Sequence, residues 1–123
     1  FVAFVDIDGL KKANDRFGHE FGDQLIVAVA RSVQATVRAA DAVGRWGGDE
    51  FIVTGLGAGQ EPEAMRDRVM ALLRDKELVD ERWEGGVSIG IAAALPAPGV
   101  FDDLLGQADR AMYQRRQQER SGP

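Results

Sequence analysis

The chain opens on five apolar residues, Phe1-Val2-Ala3-Phe4-Val5, and then turns at once to Asp6-Ile7-Asp8-Gly9. An unbroken apolar run of this length, rich in β-branched and aromatic side chains, predicts a strand buried on both faces. Such a strand exists only inside a sheet with other elements packed on it. Carboxylates at its exit lie where open α/β sheets commonly place ligands. That one segment therefore sets both the class of fold and the place to look for chemistry.

The rest of the sequence supplies the packing partners. A weak short helix is expected over 10–17. After a break at Gly18-His19 and Gly22, the residues Leu25, Ile26, Val29, Ala30, Val33 and Val37 recur at helical spacing and predict an amphipathic helix over about 22–38. Segments 42–46 and 50–54 read as short strands. Gly47-Gly48 between them suits a two-residue hairpin turn with positive φ at both central positions. Pro62 fits the first turn of a helix bearing Met65, Val69, Leu72 and Leu73 on one face. A strand over 87–94, weakened at Gly90, is followed by Pro96, Pro98 and Gly99. A last helix then turns Leu104, Leu105, Ala108, Ala111 and Met112 inward. The order predicts one α+β sandwich, an antiparallel-containing sheet with helices on it. With 123 residues the chain holds one core and is too short for two.

Composition narrows the function classes. No apolar run approaches the roughly 20 residues of a membrane-spanning helix, and no secretory pattern precedes the first strand. The chain has no cysteine, which excludes disulfides and thiolate metal sites and fits a reducing cytosol. A net charge of −5 argues against general nucleic-acid binding. An acidic protein that holds a polyanion needs a divalent cation and a few basic side chains placed locally.

Two acidic clusters fit that condition, Asp6/Asp8 and Asp49/Glu50, about forty residues apart and each at a strand end. If the first strand and the hairpin are sheet neighbours, several carboxylates crowd one spot. Two like charges ~4 Å apart repel by about 4 kcal/mol at an effective dielectric of 20. A divalent cation relieves that repulsion, and an all-oxygen ligand set favours Mg²⁺ or Mn²⁺. The same residues also suit plain exposed turns, and the pattern alone leaves both readings open.

The ordered motifs go further. The sequence carries Asp6, Asp8, Leu10, Lys11, Asn14, Asp15, Gly18, His19, Gly22 and Asp23, then Gly47-Gly48-Asp49-Glu50-Phe51, Ser88-Ile89-Gly90 and Ala108-Asp109-x-Ala111-Met112-Tyr113. This set resembles the catalytic GGDEF domain of diguanylate cyclases over nearly the whole chain. The resemblance implies a nucleotidyl-cyclase or palm-like sandwich related to the ferredoxin-like fold, with a mixed, largely antiparallel central sheet flanked by helices. It implies a single domain over 1–123 that lacks the helix and Asp-x-Leu-Thr-x-Leu-x-Asn-Arg segment usual ahead of the first strand. It also implies condensation of two GTP into cyclic di-GMP by a homodimer, in a bacterial cytoplasm and as part of a larger sensory or membrane-anchored protein. No nucleic acid and no direct membrane contact are expected of the domain.

Carried over residue by residue, the resemblance makes Asp6, the Ile7 carbonyl and Asp49 ligands of Mg²⁺ (or Mn²⁺), and Asp49 or Glu50 the base. Gly47 and Gly48 let the hairpin tip approach the nucleotide. Asn14 and Asp23 match the guanine-reading pair. A carboxylate accepts from guanine N1–H and the 2-amino group but is repelled by the N1 lone pair of adenine, so GTP is the expected substrate. Asn and Asp are equally suited to helix capping. Lys11, Arg116 and Arg120 are the expected phosphate contacts, although the two arginines also suit a helix C-terminus. Here the sequence departs from the family, which usually has Lys at 116, Gly at 119 and Asn at 121. His19 sits in the family's Gly-His turn and reads as structural.

Arg38-Ala39-Ala40-Asp41, with five residues between Asp41 and Gly47, has the spacing of the family's Arg-x-x-Asp product-inhibition site. Arg68 is a further contact expected there. Two rival readings share the fold: a catalytically inactive module acting as a GTP or cyclic di-GMP receptor, and a cyclase-like partner serving dimerisation.

Overall fold

A computed structural model describes residues 1–75, 83 and 85–121. The elements run β1 (Val2–Ile7), α1 (Leu10–Phe17), α2 (His19–Thr36), β2 (Ala42–Arg45), β3 (Glu50–Thr54), α3 (Pro62–Asp75), β4 (Val87–Ala92) and α4 (Val100–Ser121). The strands form one sheet in the order β2-β3-β1-β4. The largely antiparallel sheet expected is antiparallel in each of its three ladders. β1 is flanked on both sides and buried along its whole length, as its composition requires.

Alternation along β1 divides the core. Ala3, Val5 and Ile7 face a cluster built with α1, α2 and α3, including Leu25, Val29, Val33, Met65, Val69 and Leu73. Val2 and Phe4 face the opposite way, against Leu104, Ala108 and Met112 of α4. Asp6 shares the parity of Val2 and Phe4, which directs its carboxylate to the α4 side. Leu72, Leu105 and Ala111, expected inward, are only half-buried.

Four glycines depart from the sequence reading, each for a physical reason. Gly22 does not delay α2, which starts at His19. It lies inside the helix because the Asn14 amide rests where its Cβ would be, with Oδ1 1.6 Å from that position. The break between helices is Gly18, with φ 95°. Gly47 and Gly48 do not adopt positive φ. The hairpin closes with the Trp46 N–H donating to the Glu50 carbonyl at 2.9 Å, so three residues form the tip and no two-residue turn is needed. Gly90 marks a close approach between backbones: a Cβ there would lie 2.2 Å from the Ala108 carbonyl oxygen and 2.2 Å from the Met112 nitrogen. The strand ends at Ala92, two residues earlier than expected.

Candidate active site

The ladders carry the two acidic segments to one place. Asp6 pairs with Glu50 on one side and with Ser88 on the other. The Ile7 N–H donates to the Asp49 carbonyl at 2.8 Å, fixing the hairpin against the end of β1. One carboxylate oxygen from each of Asp6, Asp49 and Glu50 then falls within 4.8 Å of the others. Asp6 is 2% exposed. A buried carboxylate without compensation costs several kcal/mol, and here the Arg116 guanidinium supplies the charge by pairing through Nη2 with Asp6 Oδ2. Asp6 Oδ1 is buried and has no hydrogen-bond partner among the described residues. An orphaned buried oxygen beside two further carboxylates, with no nitrogen or sulfur donor in the group, fits a hard divalent cation. Burial pushes the Glu50 carboxyl above the usual carboxylate range, and the charges of Asp49 and then Asp109 add to that rise.

Asp8 does not join this trio. It pairs with Arg116 Nε at 3.2 Å and accepts a hydrogen bond from Ser88 Oγ at 2.9 Å. The same hydroxyl lies 2.9 Å from Glu119 Oε2, and Glu119 Oε1 pairs with Arg66 Nε at 3.2 Å. A serine carries one hydroxyl hydrogen, so the two carboxylates share a single donor.

An open cleft of about 870 Å³ lies at this end of the sheet, lined among others by Ile7, Lys11, Asp49 and Arg116. Lys12 and Arg16 line it too. Sequence reasoning passed over them, although their i, i+4 spacing on α1 was a signal. Gly47 and Gly48 form the hairpin tip beside the cleft without lining it. Arg45 holds that tip: its Nε donates to the Gly47 carbonyl at 3.1 Å and its Nη2 to the Gly48 carbonyl at 2.8 Å. That contact was also missed, and a basic residue ending a strand just before a glycine pair was its only trace. The Arg120 side chain lies outside the described residues.

The Asn14 side chain lies against Gly22 where α1 packs on α2, and Asp23 is the next residue, exposed. Neither lines the large cleft. Neither caps a helix, since Gly9 and Gly18 hold the N-cap positions of α1 and α2 without a side-chain cap bond. His19 is exposed at the first residue of α2.

A second cleft, of about 380 Å³, lies at the opposite end of β1 beside Phe1 and gathers Arg38, Asp41 and Arg68. Arg38 pairs with Asp41 at 3.6 Å and donates through Nη2 to the Leu56 carbonyl at 2.6 Å. Arg68 donates to Gln60 Oε1. The three residues expected to act together do stand around one cavity.

A four-stranded antiparallel sheet, with three carboxylates at the exit of an inner strand and a Gly-Gly-Asp-Glu-Phe hairpin beside them, is a GGDEF-type architecture. The family model described as diguanylate cyclase, GGDEF domain, matches residues 1–122, and the chain belongs to that family. It is 34% identical over 99% of its length to the diguanylate cyclase DgcP of Escherichia coli, covering 37% of that protein. It is 38% identical over 98% of its length to the bifunctional diguanylate cyclase/cyclic di-GMP phosphodiesterase MucR of Pseudomonas aeruginosa, covering 18% of it. The chain thus spans well under half of these curated relatives. Among solved structures, the GGDEF domain of YfiN (TpbB) from Pseudomonas aeruginosa is 34% identical, with a TM-score of 0.73, over 94% of this chain and 75% of that one. Among the described residues no helix is long and apolar enough to cross a membrane.

Proposed function

We propose that this domain condenses two molecules of GTP into cyclic di-GMP with release of two pyrophosphates. The observation that carries the reading is the meeting of Asp6, Asp49 and Glu50 within 4.8 Å, beside a cleft lined by Lys11 and Arg116. Asp6, Asp49 and the Ile7 carbonyl would hold Mg²⁺ (or Mn²⁺). When bound, the cation neutralises the triphosphate and stabilises the charge that develops as a 3′-hydroxyl attacks the α-phosphorus and pyrophosphate leaves. Asp49 or Glu50 takes the hydroxyl proton. Lys11, Arg116 and Arg120 bind phosphate oxygens, and the glycine tip, latched by Arg45, leaves room for the nucleotide.

Asn14 and Asp23 read the guanine edge, a role that their absence from the cap positions supports. Each domain has one such site, so closing both phosphodiester bonds takes two GTP-loaded copies in a homodimer. Arg38, Asp41 and Arg68 bind the product at the second cleft and slow the enzyme. A microbial GGDEF domain solved in its interaction with cyclic di-GMP is 32% identical to this chain, with a TM-score of 0.69, which supports a product-binding role.

Incubation with GTP and Mg²⁺, followed by chromatography for cyclic dinucleotide, tests the proposal. Asp49→Ala should lower turnover by about a thousandfold, the equivalent of about 4 kcal/mol of lost charge stabilisation, with the circular dichroism spectrum unchanged. Full turnover in that variant would refute the metal assignment. Asp23→Ala should cut the preference for GTP over ATP by roughly tenfold or more; an unaltered ratio removes Asp23 from guanine recognition.

A further inference from the structure

Arg116 stands against the carboxylate that the proposed cation would use. Its Nη2 pairs with Asp6, its Nε lies 3.2 Å from Asp8 Oδ1, and a fifth of its side chain is exposed. One guanidinium spans two acids through two different nitrogens, which a lysine ammonium, the usual group at this position in the family, does less readily. The two acids are not held alike. Asp8 also accepts the Ser88 hydroxyl at 2.9 Å, and its N–H donates to the Gly86 carbonyl at 2.8 Å. Asp6 keeps a buried oxygen without a hydrogen-bond partner among the described residues and faces two more carboxylates. Arg116 is therefore the cation paired with the buried member of the trio.

We infer that Arg116 is the resident counter-ion of Asp6 and is displaced when a divalent cation is taken up. Nη2 leaves Asp6 while Nε stays on Asp8, and the freed end of the guanidinium turns to the phosphates of the nucleotide. The inference rests on the metal assignment proposed above. It makes Arg116 act with opposite sign on two ligands, opposing the bare cation and favouring the nucleotide.

Mn²⁺ binding to the nucleotide-free protein, read from the electron paramagnetic resonance signal of the free ion, tests the first sign. Calorimetry with 3′-deoxy-GTP and Mg²⁺ tests the second. Arg116→Gln should bind Mn²⁺ about tenfold more tightly than the parent and 3′-deoxy-GTP about tenfold more weakly. Arg115→Gln removes the same charge one residue away, where Arg115 faces Glu63 at 3.3 Å, and should change either affinity by less than about twofold. Should the glutamine variant not fold, Arg116→Lys keeps the charge but loses the fork: a roughly threefold gain in Mn²⁺ affinity supports displacement and no gain overturns it. Unchanged or weaker Mn²⁺ binding in Arg116→Gln, with Asp49→Ala alone blind to the ion, overturns this inference and leaves the metal site standing. An equal gain in Arg115→Gln also overturns it, by showing a diffuse field effect. No Mn²⁺ binding by any of these proteins, with or without nucleotide, overturns the metal site and the inference together.

Discussion

Each end of β1 sets an arginine against a buried acid, but the arginine is mostly buried at the Asp6 end and exposed at the Phe1 end. At the Asp6 end, acids are drawn into the structure and one of them is almost fully buried against an arginine of α4. At the Phe1 end a nearly buried acid, Asp41, is paired at 3.6 Å with Arg38, but that arginine is exposed and also donates to the neutral Leu56 carbonyl. A buried acid must have its counter-charge before any ligand arrives, whereas an exposed cation is stabilised by water. Six residues of strand separate the ends by roughly 16 Å. That exceeds the screening length of ~8 Å at physiological salt, so any influence of one end on the other must travel through strand and loops.

The largest effect expected on this contrast is that of Asp49→Ala. The roughly thousandfold fall in turnover should be accompanied by less than a twofold change in cyclic di-GMP affinity at the far cleft, measured by calorimetry. A large change there would show that the ends are coupled. Next comes Gly90→Ala, which forces a methyl group into the α4 backbone. It should cost about 3 kcal/mol in denaturant unfolding. Because α4 carries Arg116, turnover should fall further than binding at the far cleft. Arg38→Ala reverses the pattern: the inhibition constant of the product should rise about tenfold, worth about 1.4 kcal/mol, with initial turnover unchanged.

The smallest effect is that of Glu50→Gln on the metal-free protein. The Glu50 carboxyl is raised in the folded state, chiefly by burial. Its contribution to stability is therefore complete at pH values below its unfolded pKa and is lost as pH rises through the higher folded value. At neutral pH the glutamine variant should be more stable by about 0.5 kcal/mol, a modest figure because the group is partly solvated. In acid the difference should vanish, as paired thermal melts across pH would show.

What was legible in the sequence follows from how local each cause is. β1, α1 and β3 were readable because their apolar patterns and flanking breakers lie within a few residues of each other. The carboxylate trio was readable in outline, since both halves end strands, but its membership was not. Asp8 was set apart from Asp49 by Ser88 and Arg116, far away in the chain. The start of α2 is not legible because Gly22 answers to the amide of Asn14 rather than to its own helix. Glu119, where the family usually has Gly, finds its partners in Arg66 and Ser88, both far away in the chain. No pattern within a window of one element could have joined those three.

Asp6 has an apolar neighbour on either side, and successive residues of β1 face opposite layers. Sliding the strand by one place would thrust a carboxylate among Leu25, Val29 and Met65 and turn Val5 and Ile7 toward Arg116. The alignment that assembles the site is thus the one that keeps the interior dry. Catalytic turnover, once measured, would double as an assay of correct strand alignment, and a misaligned sheet could not pass for a working one.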